Sequence, residues 1–146
     1  MSLARNPRPA SIHGFALLTI AAGLSDLIES LLFIDPSSYE YLFPIIDWTR
    51  ETVIVFASAM FTIVLIPVVA VWFFASRTAR TIVTVMFAIS LPWHLLTVWS
   101  AVTDLVQSPL DLLEALAVIA AIALLHSRAS SRWLERNGRR PEAALA

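Results

Sequence analysis

Residues 52–76 carry no charged side chain, and a stretch of that length constrains the fold more than any other feature of the chain. A hydrocarbon core about 30 Å thick is crossed by about 20 predominantly apolar helical residues, each advancing about 1.5 Å. Three more stretches meet the same test. One covers residues 12–34 and stops at Asp35-Pro36, and one covers 81–103. The last covers 109–126, opened by Ser108 as N-cap, Pro109 at the first helical position and Asp111 in the first turn. The pattern predicts an all-α polytopic membrane protein, an antiparallel four-transmembrane-helix bundle. Residues 1–146 form a single membrane domain, with a polar tail over 127–146.

Composition supports lipid as the solvent. The chain is 58% hydrophobic and 14% charged, against about 45–50% and about 25% in soluble domains. A net charge of −1 gives no basic field for nucleic acid, and the absence of cysteine removes disulfides and thiolate metal sites. All ten basic residues are arginine, a usage that fits a GC-rich bacterial genome. Arg5 and Arg8 ahead of Ala21-Ala22-Gly23 resemble a signal peptide, but the apolar run continues to Ile34, too far for a usual signal core.

Arginine also sets the expected orientation. With the N-terminus inside, Arg5, Arg8, Arg77, Arg80, Arg128, Arg132, Arg136, Arg139 and Arg140 are cytoplasmic, and Arg50 alone lies outside. Both termini are then cytoplasmic in a bacterial inner membrane. Trp72, Phe73 and Phe74 fall at the inner interface, and Trp48 and Trp99 near the outer one. A tight turn at residues 77–80 pairs the second and third helices. The outer loop, 35–50, holds Tyr39, Tyr41, Phe43, Ile45, Ile46 and Trp48, too apolar to stay solvated. It is expected to lie on the surface as a short interfacial helix or turn, or to cap the bundle. The tail, with Trp133 at the headgroups, is expected to grip anionic lipid and to fray at its end.

Counting depth along the helices places Asp26, Thr62, His94 and Glu114 at one level, about 17–18 Å above the inner hydrocarbon edge. Glu29 lies one turn above Asp26. Thr19, Ala22, Asp26 and Glu29 share one helix face, and Ser90, His94, Thr97 and Ala101 another, with Asp104 continuing it. Pro67 and Pro92 are expected to bend their helices. A carboxylate at a helix centre costs about 2.5–3.5 kcal/mol, and each large aliphatic or phenyl side chain returns only about 0.3–0.6 kcal/mol. Intramembrane acids are therefore candidate functional groups. Asp26, Glu29, Thr62, His94 and Glu114 form the candidate polar or ion site, with any metal undetermined. The plainer reading makes Asp111 a helix-start acid, Glu29 and Glu114 interfacial through tilt, and His94 a packing residue.

Asp26-Leu27-Ile28-Glu29 recurs as Asp111-Leu112-Leu113-Glu114, a match in common residue types best read as coincidence. Three glycines exclude a glycine-rich phosphate loop, and no nucleophile or paired-histidine zinc motif occurs. His13 and His126 fall at the inner helix ends and read as interfacial histidines, although two imidazoles there could hold a haem. No cofactor is expected. The expected partners are the lipid bilayer and either a second copy of the chain or a larger membrane protein. The favoured function is a non-enzymatic accessory or assembly subunit. The alternative is a small transporter or proton/cation-coupled protein using the polar site.

Overall fold

In a computed structural model the chain is entirely helical among the described residues, 7–40, 44–104 and 109–137, apart from short turns and connections. The elements are α1 (Ala10–Leu32), α2 (Pro36–Glu40), α3 (Arg50–Phe74), α4 (Arg77–Asp104), α5 (Pro109–Leu125) and α6 (Arg128–Asn137). Arg5, Tyr41, Phe43, Ser108, Arg139, Arg140 and the side chains of Ala101 and Asp104 lie outside the described residues. Three helices, α1, α3 and α4, are long and apolar enough to cross a membrane, and α5 joins them if its bent pair with α6 counts as one span. This is a multi-span membrane protein. Its outer surface agrees, since Ile89, Leu96 and Trp99 on α4 are 77%, 61% and 69% exposed. Exposed apolar side chains in such number suit lipid and would be an aggregation liability in water.

The four long helices form a ring in which α1 packs on α3 and α5, and α4 packs on the same two. Packing is tight at one end. Ile12 and Phe15 from α1, Val68 and Val71 from α3, Val83 from α4 and Leu125 from α5 are each at most 2% exposed and belong to one core cluster. Small residues permit the close approach: Ala16, Ala75, Ala79 and Ala121 lie in the same cluster. A Cβ on Gly14 would come within 2.9 Å of Leu124 Cδ1.

The helix ends are secured by local chemistry. Thr49 caps α3 reciprocally with Thr52, whose N–H donates to Thr49 Oγ1 (3.3 Å) while the Thr49 N–H donates to Thr52 Oγ1 (2.7 Å). Arg8 Nε donates to the Trp72 carbonyl (2.9 Å), an acceptor that the end of α3 leaves free, and its guanidinium lies over the Trp72 and Phe73 rings. The turn between α3 and α4 falls earlier than the arginines suggest. Ala75 takes the left-handed conformation (φ 50°), and Ser76 Oγ accepts from the Ala79 N–H (3.1 Å) as N-cap of α4. Arg77 and Arg80 therefore belong to the first turn of α4 rather than to a loop. The segment after α1 does form a short helix, α2, and Tyr39, Trp48 and Phe56 stack together to fold it back onto α3.

The tail departs most from expectation. Ser127 caps α6, which bends 51° from α5 and docks on the packed end of the bundle. Trp133 (5% exposed) and Leu134 (1%) join the core, so Trp133 does not rest among headgroups. Ser130, fully buried, is the polar fastening. Its Oγ donates to the Leu124 carbonyl (2.7 Å) and accepts from Ser11 Oγ (2.8 Å) and Ser127 Oγ (3.1 Å), joining the starts of α1 and α6 to the end of α5. Replacing Ser130 with alanine removes all three bonds; the Leu124 carbonyl keeps the Ser127 N–H (3.2 Å), and Ser11 Oγ loses its partner. Ser130→Ala should cost about 1–3 kcal/mol in a thermal melt of the detergent-solubilised protein, and should speed tryptic cleavage at Arg132 and Arg136.

Candidate functional site

Beyond the packed end the ring opens around a cavity of about 670 Å3, within the range of about 300–1,000 Å3 usual for small-ligand sites. Each helix lines it at the 3–4 spacing of a single face. Helix α1 gives Thr19, Ala22, Gly23, Asp26 and Glu29, and α3 gives Met60, Val64, Pro67 and Val68. Helix α4 gives Val83, Met86, Phe87, Ser90, Trp93, His94 and Thr97, and α5 gives Asp111, Glu114 and Val118. Val68 and Val83 belong both to this lining and to the core cluster, so the packed end is the floor of the cavity. Thr19 is the polar group nearest that floor; its hydroxyl donates to the Phe15 carbonyl (2.9 Å) and is thereby satisfied.

The upper wall is acidic. Among the described residues Asp26, Glu29, Asp111 and Glu114 line it, no arginine does, and His94 is the single imidazole. The carboxylates of α1 and those of α5 line the same cavity across the packed helix pair. Below them Val64, Met86 and Phe87 present aliphatic, thioether and aromatic surface. The result is a cup with an apolar bottom and a negative mouth. Among the described residues, no three acid or imidazole side chains converge closely enough to hold a metal ion. The carboxylates are spread around the wall, an arrangement suited to a species large enough to reach several of them.

Asp26, Glu29, His94 and Glu114 thus share one cavity, and Thr62 does not. Thr62 is exposed on the far side of α3, its hydroxyl donating to the Ser58 carbonyl of its own helix (2.8 Å). Its depth matches the others but its azimuth does not, because the inward face of α3 runs through Met60, Val64 and Pro67. Asp111 serves twice, as a first-turn acid of α5 and as part of the cavity wall. Trp93, Met60 and Met86 carry no distinguishing signal in an apolar sequence.

The two histidines at the packed end do not form a pair. His13 stacks edge-on against Trp72 (5.8 Å). His126, which follows the last residue of α5, uses both ring nitrogens: Arg80 Nη2 donates to Nδ1 (3.1 Å), so Nε2 carries the proton and donates to Thr84 Oγ1 (3.0 Å), whose hydroxyl donates to the Arg80 carbonyl (2.8 Å). Comparison of the chain with family models, with curated proteins and with solved structures returns no match.

Partial burial, and then the Arg80 guanidinium, hold His126 below its ordinary imidazole value. Arg77 and Glu135 are the other charged groups on the same wall. A depressed folded-state value means that the neutral ring is favoured by folding. That contribution is complete above the unfolded value of about 6.5 and is lost as pH falls through the folded one. Docking of α6 should therefore weaken as pH falls below about 6.5, read as a red shift of tryptophan emission when Trp133 becomes exposed. His126→Gln should flatten that response.

Proposed function

We propose that this protein is a four-span inner-membrane protein, both termini cytoplasmic, that holds a small cationic species in its acidic cup without chemically transforming it. The observation that carries the reading is the gathering of Asp26, Glu29, Asp111 and Glu114 on one cavity wall that, among the described residues, bears no arginine. Carboxylates that were merely interfacial, or each neutralised by its own partner, have no reason to share a cavity. Like charges so placed repel, and a cation entering among them relieves the repulsion. The cation- or proton-coupled reading is therefore preferred to the accessory-subunit reading. A partner protein that inserts a cationic group into the cup is the assembly form of the same idea.

The topology follows from charge and length. Arg8, Arg77, Arg80, Arg128, Arg132 and Arg136 cluster at the packed end and Arg50 stands at the other, which supports a cytoplasmic packed end. Helix α5, with 17 residues, extends about 25 Å, short for a crossing; α6 then turns away to lie along the interface. The cup on this reading faces the periplasmic side, and its floor is closed.

The test is a thermal-shift titration of the purified protein with tetraethylammonium, benzyltrimethylammonium and a neutral isostere of the latter. Saturating benzyltrimethylammonium should raise the melting temperature, by an amount reflecting about 2.7 kcal/mol at a hundred times its dissociation constant. The neutral isostere should have no effect. Glu114→Gln and Asp26→Asn should abolish the shift while melting higher than the parent when empty, because each removes one of four repelling charges. Equal shifts from the cation and its isostere, or an undiminished shift in both variants, would sink the reading.

A further inference from the structure

The arginine-bearing end holds a second cavity, about 420 Å3, where the start of α4 meets the end of α5 and the outer face of α6. Its wall carries Arg77, Arg80, Thr84, His126, Ser131 and Glu135. The groups bonded to the two guanidiniums are neutral. Arg80 Nη2 donates to His126 Nδ1 and to Ser131 Oγ (3.0 Å), and Arg77 Nη2 donates to the backbone carbonyl of Glu135 (3.3 Å). Each guanidinium has five N–H donors in a planar fork, so most of them are left over. Ser131 Oγ accepts from Arg80 and keeps its own hydrogen to donate. The first turn of α4 contributes side chains and not its helix end, since Ser76 already caps that turn.

We propose that this cavity is a binding site for a phosphate oxyanion, gripped by Arg77 and Arg80 and seated by the Ser131 hydroxyl. The chemistry fits in three respects. Two forks can bind adjacent edges of a tetrahedral anion bidentately, which a single lysine-like charge cannot do. The imidazole of His126, accepting from Arg80, holds that fork in place without neutralising it. The site also lies where α4, α5 and α6 meet at the end of the apolar helices, the depth at which phospholipid phosphates are found. A lipid headgroup and a free phosphate present the same oxyanion, and Glu135, exposed on the same wall, opposes both by its charge.

The full-length protein is reconstituted into discs of phosphatidylcholine alone or mixed with phosphatidylglycerol, then released and weighed by native mass spectrometry. Retention of phosphatidylglycerol over phosphatidylcholine, reduced about tenfold by Arg80→Gln and by Arg77→Gln, is the expected result. Glu135→Gln should increase retention, and Ser131→Ala should lower it without changing the melting temperature by more than a few degrees. Competition by inorganic phosphate at millimolar concentration would assign the site to a soluble phosphate; indifference to phosphate assigns it to the lipid. Arg77 is exposed and makes one bond to α6, so its variant reports on binding even if Arg80→Gln unfolds. Retention of either lipid unchanged by Arg77→Gln, together with no binding of inorganic phosphate, overturns the proposal.

Discussion

Lipid tails are as apolar as leucine, so helices in a bilayer gain little from hiding apolar side chains from their solvent; they associate where close packing and hydrogen bonds reward it. In this chain both rewards are concentrated at one end. Ala16, Ala75, Ala79 and Ala121 let the helix backbones approach there, Phe15 and Leu125 fill the remaining space, and Ser130 ties three segments together through one hydroxyl. At the other end Asp26 and Glu29 on α1 and Asp111 and Glu114 on α5 line an open cavity, to which α3 and α4 contribute no acid. The cup follows from that contrast. A tight base holds four helices in register, and the acid-lined end above it stays open.

The same contrast explains which parts of the fold the sequence reveals. Long apolar runs in a bilayer have one way to satisfy their backbone, so α1, α3, α4 and α5 are legible from hydropathy within a few residues. On α1 and α4 the inward face is also legible, because Asp26, Glu29, Ser90 and His94 mark it against an apolar background. Helix α3 carries no such mark. Its residues are apolar all round, and Thr62 satisfies its own hydroxyl inside the helix, so depth without azimuth puts it at the wrong face. The α3–α4 turn is hidden for a related reason: Ala75 adopts a left-handed conformation that usually announces itself by glycine.

Helix α6 is obscured by composition. Its arginines dominate the average, and only Ser130, Trp133 and Leu134 carry the inward stripe. The 3–4 spacing of those three residues, with Ser127 as a cap, is a helix signal that net polarity conceals. Once docked, α6 changes the meaning of the tail. A solvated basic segment attracts any anionic surface through charge alone, whereas a fixed helix sets Ser131 against Arg80 and Arg77 against the Glu135 carbonyl. Position is added to charge, and selectivity becomes achievable.

The two cavities are opposite in sign and connected through one packed layer. Val68 and Val83 floor the acidic cup, and the cluster they belong to continues through Leu125 to Trp133 and Leu134 on α6. Thr84, one residue beyond Val83 on α4, accepts the hydrogen bond of His126 Nε2–H at the basic end. A tilt of α4 that accommodated an occupant beside His94 would therefore move Arg80 and Thr84 relative to α5 and α6. Energetic coupling needs an element with two arrangements that both sites bias, and α4 is the element that lines both cavities over its length. If α4 moves as a rigid rod, occupation of the cup and anchoring of the basic end change each other's affinity by the same factor, because linkage between two binding equilibria is reciprocal.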